Sequence, residues 1–256
     1  MHIGALIIGD EILSGKRQDR HQTFLTGTLA RRGLQLDWVR LVGDDEELLV
    51  RSFRETLSGG DLVFCFGGIG ATPDDLTRPC FARAAGVELA HHPEAVALIE
   101  QRFGESAYPN RIRMAELPLG CALIPNPVNQ VPGFSLRDHH CVPGFPNMAW
   151  PMVEWVLDTH YAHLASSVVR MEHLLVLHDA AESELVPLME VMVERFPDVR
   201  LSSLPSSRIP RQIELGIRGV EARVAAATQW LERELSMRHV RWEHREVSGD
   251  DVPGST

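Results

Sequence analysis

Three short apolar runs in the first 66 residues alternate with helix-like segments, and the pattern leaves few architectures open to this chain. Ile3 to Ile8 is apolar throughout and stops at Gly9-Asp10-Glu11, as expected of a strand buried on both faces that ends in a polar turn. Leu34 to Val42 reads as the next strand and Asp61 to Phe66 as the third. Between them, residues 19–32 put Phe24, Leu25, Thr28 and Leu29 on one helical face, with Gly33 as a stop signal. Asp44 and Glu47 have the spacing of a capping box for a helix whose inner face is Leu49, Phe53 and Leu57. Leu76 to Ala85 is helical and Gly86 closes it. Strands that alternate with helices pair in parallel and are covered on both sides, so the expected class is α/β, a three-layer, mostly parallel sheet.

Residues 87–165 are less regular. His92-Pro93 opens a helix running to Phe103, because proline suits a first helical turn. A proline-rich stretch from Ala122 to Pro146 reads as short strands and shaped loops, and a helix from Pro151 to Leu164 ends a first domain over residues 1–165. The pattern then changes. Ser167 to Leu177, Val199 to Leu204 and Arg211 to Arg218 are strand-like, whereas Glu182 to Phe196 and Val220 to Leu235 are helical. The order β-α-β-β-α predicts a small α+β domain over 166–246, followed by a flexible polar tail at 247–256.

Composition narrows the function classes. With 44% hydrophobic residues among 256, the chain can bury a real core. A formal net charge of −10 argues against gripping phosphate backbones by bulk charge, so nucleic acid is not an expected partner. The first ten residues have no basic region, and their apolar run is too short for a signal peptide or a membrane span, so a cytoplasmic location without membrane contact is expected. Cys65, Cys80, Cys121 and Cys141 form no CxxC and are expected as buried free thiols.

Chemistry is concentrated at the strand ends. Asp10-Glu11, Asp44-Asp45 and Asp74-Asp75 each follow a strand, and the ligand crevice of an open α/β sheet lies outside those ends. Converging carboxylates repel, and a hard cation such as Mg²⁺ prefers a few carboxylates plus ligand phosphates, so Asp10, Asp44 and Asp75 are expected to share one. Gly67-Gly68-Ile69-Gly70 adds backbone N–H groups that can approach an anion, and Lys16 adds a cation at the same edge. The bland reading is that Asp44 and Asp75 are helix caps and that Glu46 and Glu47 are first-turn acids. Other candidates are weaker. His91-His92 and His139-His140 are adjacent pairs that do not face one site, Ser14 and Ser135 lie in no nucleophile elbow, and Trp150 with Trp155 reads as core or interface.

At these residues the sequence resembles the molybdopterin-binding domain shared by molybdenum cofactor biosynthesis proteins and competence/damage-inducible protein A (CinA). The resemblance rests on Gly9-Asp10-Glu11-Ile12-Leu13-Ser14-Gly15, on Val42-Gly43-Asp44-Asp45, and on Gly67-Gly68-Ile69-Gly70-Ala71-Thr72-Pro73-Asp74-Asp75-Leu76-Thr77. Asn126-Pro127, Pro132-Gly133-Phe134 and Pro143-Gly144-Phe145-Pro146 extend it to about residue 165. It implies that Asp44 and Asp75 are the paired functional aspartates and that Gly67, Gly68 and Gly70 hold phosphate. Through the matched segments it adds Gly9, Asp10, Glu11, Gly15, Lys16, Thr72, Asp74, Pro143 and Gly144 to the ligand-binding set. The implied ligand is a phosphorylated pterin, or an ADP-ribose-like or FAD-like dinucleotide, bound with Mg²⁺ or a similar ion. Metal-dependent pyrophosphate hydrolysis or adenylyl transfer is then the expected chemistry. The alternative is a homo-oligomeric binding or assembly protein without turnover.

The second domain resembles the KH-like domain that follows in CinA-like proteins. The nicotinamide-nucleotide amidase of full-length members is not expected within these residues. Ala71 stands where the family has a loop proline, and Gln18-Asp19-Arg20-His21 replaces its D-T-N segment. Asn129-Gln130-Val131 stands where G-T-A is common, and Met148 takes the place of an acid.

Overall fold

The computed structural model describes residues 1–165 and 170–245, and the chain divides into two units, Met1–Ala165 and Ser166–Thr256. The expected tail at 247–256, and residues 167–169 of the strand expected from Ser167, lie outside the described residues. In the first unit the order is β1 (Ile3–Ile8), α1 (Asp10–Leu13), α2 (His21–Ala30), β2 (Trp38–Val42), α3 (Glu46–Gly59), β3 (Leu62–Phe66) and α4 (Thr77–Ala85). There follow β4 (Leu89–His91), α5 (Pro93–Phe103), β5 (Glu116–Pro118), β6 (Ala122–Ile124), β7 (Gly133–Leu136), β8 (His139–Val142) and α6 (Pro146–His160).

Six strands form one sheet in the order β2-β1-β3-β8-β7-β6. The first four run parallel, β7 pairs antiparallel with β8, and β6 pairs antiparallel with β7. β1 and β3 are buried along their whole length because alternate side chains feed two cores. Leu6, Ile8, Val63 and Cys65 face one core with Leu49, Phe53, Phe81 and Ile99 from α3, α4 and α5. Ile3, Ala5, Ile7, Phe64 and Phe66 face the other with Leu25, Leu29, Met152 and Val156 from α2 and α6. This is the expected three-layer, mostly parallel α/β architecture. Parallel pairing brings the carboxyl ends of β1, β2 and β3 to one edge, since Ile8 is opposite Val42 and Ile7 opposite Phe66.

Three details differ from the sequence reading. β2 begins at Trp38, because Leu34 and Leu36 pack against a core without joining the ladder. α6 starts at Pro146 and carries Pro151 inside it. The earlier proline takes the first helical position, where the absent N–H costs nothing. α3 is capped by Asp45, whose carboxylate accepts the Leu48 N–H at 2.8 Å, and not by Asp44.

The second unit contains β9 (Arg170–His178), α7 (Glu182–Arg195), β10 (Arg200–Pro205), β11 (Ile213–Val220), α8 (Glu221–Met237) and β12 (Arg241–Arg245). Its antiparallel sheet has the order β10-β11-β9-β12, so the expected β-α-β-β-α gains a final strand. β12 escaped the pattern because charged residues and His244 surround its one large apolar residue, Trp242, which pairs with Leu177 and packs on the core. Among the described residues no helix is long and apolar enough to cross a membrane.

The buried polar groups of the first unit are structural. All four cysteines are buried, and burial pushes the Cys80 and Cys121 thiols up to about 11, which leaves them unreactive. His139 and His140 point to opposite faces of β8. His139 bonds Thr56 Oγ1 at 2.8 Å, and His140 bonds Ser135 Oγ at 2.7 Å and the Tyr161 hydroxyl at 2.9 Å. Tyr161 donates to Asp138 at 2.6 Å, so His140 Nε2–H donates to the tyrosine oxygen and Nδ1 accepts from Ser135. Burial drives His140 down to about 3. Its folded value lies below the unfolded 6.5, so the unfolded chain takes up the extra proton and stability falls as pH drops below about 6.5. The expected loss is about 2 kcal/mol at pH 5 from this residue alone. Nitrogen-15 NMR of the imidazole at pH 5 should show His140 still neutral; a protonated ring there would contradict the assignment.

Candidate functional site

The edge where β1, β2 and β3 end is held closed by backbone bonds before any side chain acts. Gly9 N–H donates to the Val42 carbonyl at 3.0 Å, extending the β1–β2 ladder by one bond. Immediately beyond it, Asp10 N–H donates to Asp44 Oδ2 at 2.9 Å and Asp44 N–H donates to Asp10 Oδ1 at 3.2 Å. Each carboxylate therefore spends one oxygen on the other's backbone and keeps one. The Asp44-Asp45 pair is divided between two tasks, Asp45 capping α3 and Asp44 facing the crevice.

Asp44 is electrostatically strained. Burial pushes its carboxyl above the ordinary value, and the negative charges of Asp10, Glu11 and Asp74 push it further, against the stabilising Asp10 N–H. Asp75 is held differently. Its Oδ2 accepts both the N–H and the hydroxyl of Thr72, which closes the turn before α4. It is not the cap of α4, whose N-cap position is Leu76.

The glycine-rich loop joins β3 to α4. Gly67 has a φ of 103°, and a Cβ there would lie 2.3 Å from the Ile8 carbonyl oxygen. Its N–H is committed to the Val142 carbonyl at 3.0 Å, so Gly67 permits close packing and does not offer a donor. Gly68, with a φ of 69°, has no room beside the Thr77 hydroxyl, which donates to the Gly67 carbonyl at 2.8 Å. A Cβ on Gly70 would meet Asp75 Oδ2 at 2.5 Å. Among the described residues, the N–H groups of Gly68, Ile69, Gly70 and Ala71 have no protein acceptor. They are backbone donors in a glycine-rich turn ahead of α4, a setting that suits an anion.

Arg78 supports this loop from below. Its buried guanidinium donates to the carbonyls of Gly70, Arg113 and Glu116. Because the peptide is planar and trans, holding the Gly70 carbonyl on one side turns the Ala71 N–H to the other. Asp75 and Glu116 lie near enough to offset the arginine charge. On the far wall, His21 stacks on Phe66 at 4.3 Å and its Nε2 donates to the Gly144 carbonyl at 3.1 Å, which positions the loop 143–145. Asp19 in turn accepts the N–H groups of His21 and Gln22.

These elements enclose a cleft of about 720 Å³, a size suited to a small ligand. Asp44, Asp74, Asp75 and Glu11 bring the acids into its lining, and Gly9, Gly67, Gly68, Gly70 and Thr72 bring backbone. Lys16, Pro143 and Gly144 complete the set expected from sequence that lies there. Asp10 borders an adjoining depression that shares Glu11, Lys16, Asp44 and Asp74. Gly15 lines neither and serves the turn that delivers Lys16. Asn129 and Met148, two of the departures from the family pattern, line the cleft as well, whereas sequence reasoning missed Arg17, Met114 and Phe145 as lining residues. Phe145 lies inside a matched segment and Arg17 shortly after one, so both were within reach, whereas Met114 comes from a short turn with no local signal.

Among the described residues no three histidine, cysteine, aspartate or glutamate side chains come together as a ready metal-binding group. The expected trio of Asp10, Asp44 and Asp75 is thus not assembled as a cage: the first two are clasped together and the third is turned to Thr72. A hard cation that takes one or two carboxylates and completes its shell with ligand phosphates and water is compatible with the oxygens left over.

Comparison with known proteins places this geometry in context. A family model described as "Probable molybdopterin binding domain" matches residues 4–163. A CinA-like protein of Geobacter sp. (strain M21) is 35% identical over 210 residues, covering 79% of this chain and 50% of its own length. The chain spans about half the length of the CinA-like relatives it matches. A protein of Pyrobaculum calidifontis is 27% identical over 207 residues, covering 78% of this chain and 79% of its own length. Among solved structures, the protein CinA with unknown function from Thermoplasma acidophilum aligns with a TM-score of 0.57 at 30% identity, covering 62% of this chain and 98% of that one.

The strain at Asp44 has a measurable consequence. A carboxyl whose folded pKa is raised destabilises the fold once pH rises through that value. Asp44→Asn keeps the oxygen that accepts the Asp10 N–H and removes the charge. Thermal unfolding at pH 7.5 should shift up on the order of 2 °C, and the gain should vanish as the pH falls below the usual carboxylate range. A variant that melts lower at pH 7.5 would contradict the electrostatic account.

Proposed function

The chain belongs to the molybdopterin-binding-domain family, and on that premise we propose that its cleft binds a phosphorylated pterin or an adenine dinucleotide. The observation that carries this reading is the juxtaposition of four unpaired backbone N–H groups with clustered carboxylates. Donors of that kind hold phosphate oxygens, while the acids call for a cation that the same phosphates would share. Mg²⁺ or a similar ion would be held by the free oxygens of Asp44 and Asp10, with Asp75 at the loop side. When bound, it neutralises charge developing on phosphate and lowers the pKa of a bound water.

The reaction this arrangement suits is hydrolysis of a pyrophosphate bond of the ADP-ribose or FAD type. The N–H groups of Gly68, Ile69, Gly70 and Ala71 hold the phosphate oxygens and stabilise charge that grows in the transition state. Asp44 and Asp75 orient the attacking water, and Lys16 adds a positive charge at the mouth. The sealed Gly67 contact with β1 and the Arg78 bonds keep the loop from shifting as the ligand enters.

A second reading, a homo-oligomeric binding or assembly protein without turnover, is favoured by one observation. Asp10 and Asp44 are engaged with each other's backbone and Asp75 with Thr72, and among the described residues no three such side chains form a ready metal cluster. Calorimetry with ADP-ribose, FAD and AMP, with and without Mg²⁺, combined with a phosphate-product assay, separates the two. For the hydrolase, turnover should require Mg²⁺ and fall about 10²-fold or more in Asp75→Asn and Asp44→Asn. Binding without products supports the second reading. Retention of full binding and turnover in both variants would remove these carboxylates from the site.

A further inference from the structure

We propose that Phe145 is a ring-stacking platform, so that the cleft selects phosphorylated ligands carrying a flat heteroaromatic ring of purine or pterin type over ring-free phosphates. The inference rests on the phosphate-binding reading above and concerns the part of the ligand beyond the phosphates. Phe145 lines the cleft, is 53% exposed, and belongs to neither core of the first unit. Local structure does not account for it either. It occupies the N-cap of α6 and makes no side-chain cap bond, at a position where Ser, Thr, Asp or Asn is the stabilising choice.

Its placement relative to the cradle is set by two contacts. A Cβ on Gly144 would lie 3.4 Å from Gly67 Cα, so the residue before Phe145 packs directly against the glycine-rich loop. The Gly144 carbonyl is held by His21, which keeps the following phenylalanine at the lip. The Arg17 guanidinium lies 5.9 Å from the ring centroid, and Met148 lines the same wall. An aromatic face, a cation and a thioether thus line the same cleft as the phosphate cradle. A ring stacked there would be joined to phosphates in the loop, and the cation would favour the anionic ligand. Stacking reads the presence of a π-face and not a particular base, so the expected selectivity is for ring-bearing against ring-free ligands.

The test is calorimetry in the presence of Mg²⁺ with two probes that share a diphosphate, ADP and inorganic pyrophosphate, on the full chain and on Phe145→Ala and Phe145→Trp. Phe145→Ala should weaken ADP about tenfold, leave pyrophosphate within about twofold, and be rescued for ADP by Phe145→Trp. An unchanged thermal unfolding temperature checks that the exposed substitution has not disturbed the fold. Equal weakening of both probes, or no change in either, overturns the platform. If the parent chain binds pyrophosphate and Phe145→Ala leaves ADP unchanged, the platform falls and the phosphate site stands. If the parent chain binds neither probe, the phosphate reading falls and the platform with it.

Discussion

Asp10 and Asp44 each accept the other's backbone N–H, and the rest of the site depends on this clasp. Two carboxylates at neighbouring strand ends would otherwise turn away from one another, since like charges at close range cost several kcal/mol when partly desolvated. The N–H donors offset part of that repulsion and fix both side chains at the edge of β1 and β2. They do not cancel it. Burial, and after it the charges of Asp10, Glu11 and Asp74, raise the Asp44 pKa and leave the edge short of positive charge. A proton, a metal ion or a cationic ligand group relieves the same deficit, which links the stability of the fold to what the cleft binds.

The opposite wall has the complementary deficit. Its loop presents N–H groups without acceptors, because the carbonyls on the other side of the peptides are held by Arg78 and Thr77. A buried guanidinium is costly to desolvate, and three backbone carbonyls with Asp75 and Glu116 nearby offset that cost. Acids and unpaired N–H donors line one cleft. Either alone is an ordinary strand end or turn. Together they match a phosphate bridged to a cation, and the arrangement sacrifices some stability in the unliganded protein to do so.

Much of the architecture was legible because burial leaves a plain mark. Every residue of β1 and β3 is apolar and buried, and the helices between them have periodic inner faces such as Leu49 and Phe53. β12 left no such mark, since a strand carrying a single apolar anchor looks like surface. Pro146 and Pro151 both suit a helix start, and in the structure α6 begins at the earlier one and carries the later one inside it. In the site, the acid pairs and the glycine-rich loop stood out by composition. Arg78 did not, although it holds the loop, because its partners at Gly70, Arg113 and Glu116 are scattered along the chain.

The sequence by itself determined the alternation of strands and helices, the edge at which the acids gather, and the residue types available there. These follow from periodicity and from backbone rules that act over a few residues. Only the tertiary structure decided that Asp45 caps α3 while Asp44 faces the cleft. It also decided that Gly67 spends its N–H on β8 and that Phe145 reaches the lip while Gly15 stays outside. Those outcomes turn on hydrogen bonds and close contacts between segments more than thirty residues apart, such as Asp10 with Asp44 and His21 with Gly144. Local propensity carries no record of a partner that becomes a neighbour only once the sheet has formed.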